Sequence, residues 1–141
     1  MTLQEFNEKF IYKTDKEKYG LEDYWEEPKP NKDGMYEADC ESYAIFVKRN
    51  ILGFHHWKYY YCKLNGEGHC VLINEADKIV LDNNVQSPTK LKEYKKWMKE
   101  HNVEVTGLRP YKWYELICNF NYAKILKLWL KFKRKRLTNG R

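Results

Sequence analysis

At 141 residues the chain has the size of one domain, enough for a single core and too little for two. One third of it is charged, and no apolar run approaches the ~20 residues of a membrane-spanning helix, which excludes a helical membrane protein. The net charge of +6 is uneven: carboxylates crowd residues 3–41, while the stretch from Lys124 to Arg136 is strongly basic and suits an anionic partner. The opening residues, Met1-Thr2-Leu3-Gln4-Glu5-Phe6, are polar and acidic where a signal peptide would be basic and then apolar. They predict an unexported, cytoplasmic product in a reducing compartment. There the four cysteines, Cys40, Cys62, Cys70 and Cys118, are expected as free, mostly buried thiols. Their spacing contains no C-x-x-C, which counts against a zinc knuckle or a redox pair.

In chain order, residues 2–19 read as a polar helix or irregular arm, with Leu3, Phe6, Phe10 and Ile11 at loose helical spacing. Glu26 to Gly34, with two prolines and a final glycine, is the clearest loop. From about Ala38 the pattern becomes helical. Tyr43, Val47 and Ile51 share a face, Asp39 is the expected N-cap, Cys40 falls in the first turn and Gly53 is the stop. Trp57–Leu64 then reads as a strand, Asn65-Gly66-Glu67-Gly68 as a turn, His69–Asn74 as a strand, Glu75–Lys78 as a turn and Ile79–Asp82 as another strand. Residues 86–102 look helical, started by Ser87-Pro88 and lined by Leu91, Tyr94 and Met98. Val103–Thr106 and Trp113–Phe120 are expected as further strands, and the run through Leu128, Leu130 and Phe132 fits a strand or an amphipathic helix equally. The sum is an α+β domain spanning 1–141, a helix followed by an antiparallel meander, with a basic C-terminal element at 124–141.

The chemistry concentrates at Asp39-Cys40-Glu41, followed by Gly68-His69 and then Leu81-Asp82-Asn83. The order thiol, imidazole, carboxylate supplies a nucleophile, a base and an orienter. A helix N-terminus and a neighbouring imidazolium both favour the thiolate, whereas the flanking acids oppose it unless they cap, pair or hold a cation such as calcium through hard oxygen ligands. One condition is checkable. If the loop between the strands of His69 and Asp82 has an even number of residues, the two side chains share a face at the same end. They are then directly opposed, or one diagonal step apart with His69 opposite Asn84. An odd loop separates them. The plain readings stand beside this one: Cys40 as a buried structural thiol, His69 as a hydrogen-bonded strand residue, Asp82-Asn83 as a strand-ending turn, and the basic run as a solvated face. His55, His56 and His101 have no partner motif, and Tyr24 and Trp25 read as core or cleft wall.

The segments Tyr19–Pro28, Asp39–Ile45, Leu52-Gly53, Gly68–Leu72 and Val80–Asn83 together resemble the bacterial transglutaminase-like cysteine proteinases, in the right order and spacing over roughly residues 19–90. The resemblance implies a papain/transglutaminase-like fold, with a nucleophile helix packed on an antiparallel sheet and with Cys40 as nucleophile, His69 as base and Asp82 as orienter. It further implies a calcium site at Asp39 and Glu41, because characterised relatives are calcium-dependent periplasmic proteinases. Two positions depart from the family pattern and count against a full calcium set: Ser42 stands for a second acid, and Ala38 for the glycine before the aspartate. No export signal is visible, which counts against a periplasmic adhesin as substrate. The short basic format suggests a phage-encoded member acting in the host cytoplasm. The expected function is a cysteine peptidase or amidase that works through an acyl-enzyme on a protein or peptide, with no required cofactor. The alternatives are acyl transfer to an amine and a catalytically weak member that binds an anionic or protein partner.

Overall fold

Two capping boxes organise the first twenty residues. In a computed structural model that describes residues 1–20, 24–53 and 56–139, Thr2 and Glu5 exchange hydrogen bonds at the start of α1 (Leu3–Glu8), and Thr14 and Glu17 do the same for α2 (Asp15–Tyr19). The expected single arm is thus two short helices. Between them β1 (Phe10–Tyr12) pairs in parallel with β2 (Tyr36–Ala38), which brings Tyr12 opposite Ala38. Residues 24–35 carry no regular element, as the two prolines require.

The helix bearing Cys40 begins where the sequence places it. Asp39 is the N-cap of α3 (Cys40–Val47), its Oδ1 accepting from the Ser42 N–H at 3.0 Å. The helix runs on through a π-helical turn at Lys48–Leu52 and ends at Gly53, whose φ of 74° suits a residue without a Cβ.

A five-stranded antiparallel sheet follows, ordered β6-β5-β4-β3-β7. Strands β3 (Trp57–Leu64) and β4 (Glu67–Asn74) form a hairpin. Only Asn65 and Gly66 make its turn, both with positive φ, while Glu67 and Gly68, expected in the turn, already pair with Leu64 and Lys63. Strand β5 (Ile79–Leu81) pairs Leu72 with Leu81 across the four-residue connection Glu75–Lys78. The even-loop condition is met, and the register extended puts His69 opposite Asn84 and one diagonal step from Asp82.

Three expectations need correction. The helix expected from Gln86 starts at Leu91. Gln86, with positive φ, closes a turn onto the Asp82 carbonyl, Pro88 disfavours helix at Ser87, and Thr89–Lys90 becomes the edge strand β6 before α4 (Leu91–Glu100). The strand expected at 103–106 is β7 at Val105–Pro110. The strand expected at Trp113–Phe120 is helix: α5 runs from Trp113 to Asn139 and takes in the run left open as strand or helix. Glu115 starts it by accepting the Lys112 N–H and the Arg109 guanidinium, and the Leu, Lys, Arg and Ala residues that follow are good helix formers.

Alternation along β3 and β4 splits the core in two. Tyr59, Cys70 and Leu72 join α1 and α3 on one face, where Phe6 stacks on Phe46 at 4.2 Å. Cys62, Val71, Ile73 and Val80 join Tyr94 and Met98 of α4 on the other.

Candidate active site

His69 and Asp82 sit at one end of the paired strands. The Nε2 of His69 lies 2.8 Å from Asp82 Oδ1. Asp82 is 1% exposed and His69 7%. A buried carboxylate needs donors, and Asp82 has them: its Oδ2 accepts from the Tyr94 hydroxyl at 2.7 Å, and its Oδ1 also accepts from the Asn84 N–H at 3.1 Å. Burial and then the adjacent Asp82 charge push the Tyr94 phenol well up, so it stays a proton donor. Because Nε2 faces the carboxylate, Nδ1 is the nitrogen left for acid–base work.

Cys40 is 5% exposed and packs with Cys70 and Leu72, on the face of β4 opposite to the one His69 shares with Val71 and Ile73; no hydrogen bond joins Cys40 to His69. Its thiol donates to Glu41 Oε2 at 3.1 Å. The thiol is held well above its ordinary value by burial first, then by the charges of Glu41, Cys70 and Asp39 and by the bond to Glu41. The helix N-terminus alone favours thiolate; burial and the flanking carboxylates outweigh it here. Cys62 and Cys70 are buried and free, and Cys118 is exposed and free. Burial and then Asp82 push the Cys62 thiol up to about 12.

Two residues beside Cys40 escaped the sequence reading. Asp15, 4% exposed, accepts the Tyr24 N–H and hydrogen-bonds to the Asp39 carboxyl. Burial, then the Asp39 charge and that bond, raise its carboxyl to about 9, so Asp15 keeps its proton at neutral pH and Asp39 accepts it. Tyr12, on the strand paired with β2, has its phenol pushed up to about 12 by burial and then by Cys40, Asp39 and Glu41. Nothing in the spacing marks either one; the β1–β2 pairing brings them in. Tyr94 was legible as a helix-face residue, but not as a partner of Asp82.

The two expected calcium ligands are engaged in other work. Asp39 caps α3 and bonds to Asp15, and Glu41 takes the Cys40 thiol. Among the described residues no three His, Cys, Asp or Glu side chains converge as a ligand set. As arranged, these acids do not fit a calcium ion, and no step of the chemistry is drawn through one. His55 lies outside the described residues, as do residues 21–23 of the motif around Tyr24. His56 is exposed, and His101 stacks on Trp97 with Nδ1 2.8 Å from the Trp97 carbonyl. Trp25 is cleft wall as well as core. It meets Tyr59, Tyr111 and Phe120 edge-on and borders a cavity of about 630 Å³ that Arg49, Phe120 and Lys127 also line. Cys40, His69 and Asp82 are not among that cavity's lining residues.

The family model of the bacterial transglutaminase-like cysteine proteinases matches residues 3–117. The chain belongs to that family. No curated protein matches the chain. As a member, this proteinase is a cysteine peptidase or transglutaminase-like enzyme, and its helix on an antiparallel sheet is the α+β arrangement expected of the family. The match closes at residue 117, so most of α5 lies beyond it.

Proposed function

We propose that the protein is a thiol hydrolase that opens peptide or amide bonds of a protein substrate through an acyl-enzyme, with Cys40 as nucleophile, His69 as base and Asp82 as orienter. The observation that carries this reading is the buried His69–Asp82 pair, with Nε2 bound at 2.8 Å and the carboxylate further held by Tyr94. In the first step the Cys40 thiol leaves Glu41 and passes its proton to His69 Nδ1. The sulfur then bonds to the substrate carbonyl carbon. His69 returns the proton to the leaving amine as the C–N bond breaks, giving a thioester. His69 next takes a proton from water, whose oxygen attacks the thioester; the acid leaves and the proton goes back to sulfur. Asp82 holds the ring through Nε2 and fixes the tautomer. Backbone N–H groups at the start of α3 are the natural oxyanion donors.

The rival reading, a catalytically weak member serving as a binding module, is favoured by the Cys40 thiol itself, which is buried, protonated and bonded to a carboxylate. A peptide vinyl sulfone separates the two readings. The hydrolase reading expects labelling at Cys40 that drops by roughly 10²-fold or more in His69→Ala, and Cys40→Ala without hydrolysis of unfolded protein. Labelling confined to Cys118, or hydrolysis that survives Cys40→Ala, would end it.

A further inference from the structure

Helix α5 is apolar on two sides and has something to lie on along only one. Leu116, Phe120, Ala123 and Leu126 pack against the α3 face of the domain, and Lys127 bonds to Glu26 at 2.6 Å. At 100° per residue, Ile117, Ile125, Leu128, Trp129 and Phe132 fall on the opposite side. They are 50–67% exposed. From Ile117 to Phe132 this stripe is about 23 Å long at 1.5 Å per residue. Lys124, Lys131 and Lys135 border it on one flank and Lys133 on the other, and no Asp or Glu follows Glu115 in the sequence.

We propose that this stripe docks in the plane of an anionic lipid surface, with the apolar residues at the headgroup–acyl boundary and the flanking lysines among the headgroups. The charge pattern selects this occupant. A second copy laid face to face would bring Lys124, Lys131 and Lys133, which flank the stripe, against the same residues of its partner, with no acid after Glu115 on either helix to oppose them. A nucleic acid would take the cations and leave the apolar stripe in water. An anionic bilayer satisfies both, and Trp129 and Tyr122, each at least half exposed, are side chains that favour such an interface. Crossing the bilayer is not implied: among the described residues no helix is long and apolar enough to do so. All of the stripe except Ile117 lies beyond the residues the family model matches, so the docking is a property of this chain's own C-terminal helix and does not depend on the peptidase reading.

The test is sedimentation of the full chain with phosphatidylcholine vesicles, with and without about a third phosphatidylserine. The expected result is binding to the anionic vesicles only, weakened by salt. Lys131→Gln with Lys135→Gln should lower partitioning roughly 25-fold, at about fivefold per cation. Leu128→Ser with Phe132→Ser should lower it at least tenfold. Both side chains are exposed, so circular dichroism should report unchanged helix content. Equal binding to neutral vesicles, no vesicle binding, or binding indifferent to Leu128→Ser with Phe132→Ser would each overturn the proposal. So would a stripe-dependent dimer, or duplex DNA binding that the serine variants leave intact, if either occurs without vesicle binding.

Discussion

Helices α3 and α5 both carry apolar residues on more than one side, and neither has one dominant apolar face. In α3, seven of eight residues are buried, because β4 covers one side and α1 the other, through Phe6 on Phe46. In the far longer α5, Ala123 is the one buried apolar residue among those described. Apolar residues on more than one side thus arise from opposite circumstances, a helix surrounded by its own domain and a helix that turns half its apolar surface outward. The first builds a low-dielectric setting in which protons are displaced from their ordinary groups. The second presents surface for something outside the fold.

The contrast can be broken from the buried side first. Asp82→Asn keeps the shape of the side chain but replaces the charge that faces His69, and is expected to lower kcat by roughly 10²–10⁴-fold with the fold retained. Undiminished turnover would remove Asp82 from the chemistry. Paired truncations then compare the two regions directly. Leu72→Ala, at a position with no exposure, should cost about 2–5 kcal/mol in a urea titration. Leu128→Ala, 67% exposed, should stay within about 0.5 kcal/mol. Similar costs at both sites would mean that α5 is covered within the free chain.

Smaller effects concern the displaced protons. In the folded chain the Asp15 carboxyl is raised to about 9, from an ordinary aspartate value of 3.8. Between those values the unfolded chain has released the proton and the folded chain retains it, so stability falls as pH rises across the window. Asp15→Asn copies the protonated acid and should flatten that fall, read as urea midpoints at about pH 5 and about pH 8. A midpoint that declines equally in both proteins would refute the shared proton. Glu41→Gln removes the leading charge that raises the Cys40 thiol. The pH profile of Cys40 alkylation should move to lower pH, with severalfold faster reaction at neutrality; an unmoved profile would remove Glu41 from the causes.

Much of this was legible in the chain. Asp39 as N-cap with Cys40 in the first turn follows from local rules, since the cap bond spans three residues. The His69–Asp82 pairing followed from strand alternation once the loop proved even. The α5 segment was misread in part because Trp113–Phe120 has high β propensity and the run after it alternates Leu and Lys; helix won through the Glu115 start and the contacts of Phe120 and Ala123.

What the sequence by itself determined is what short-range geometry determines: the capped helix start, the hairpin, the order of thiol, imidazole and carboxylate, and the run of cations with no acid among them. Tertiary structure decided what those groups experience. Asp15 reaches Asp39 through the parallel pairing of β1 and β2, Tyr94 reaches Asp82 because α4 folds onto the sheet, and the Cys40 thiol is buried against Cys70 of β4. Burial and charge proximity act through space between residues far apart in the chain, and no local pattern of residue types encodes those distances.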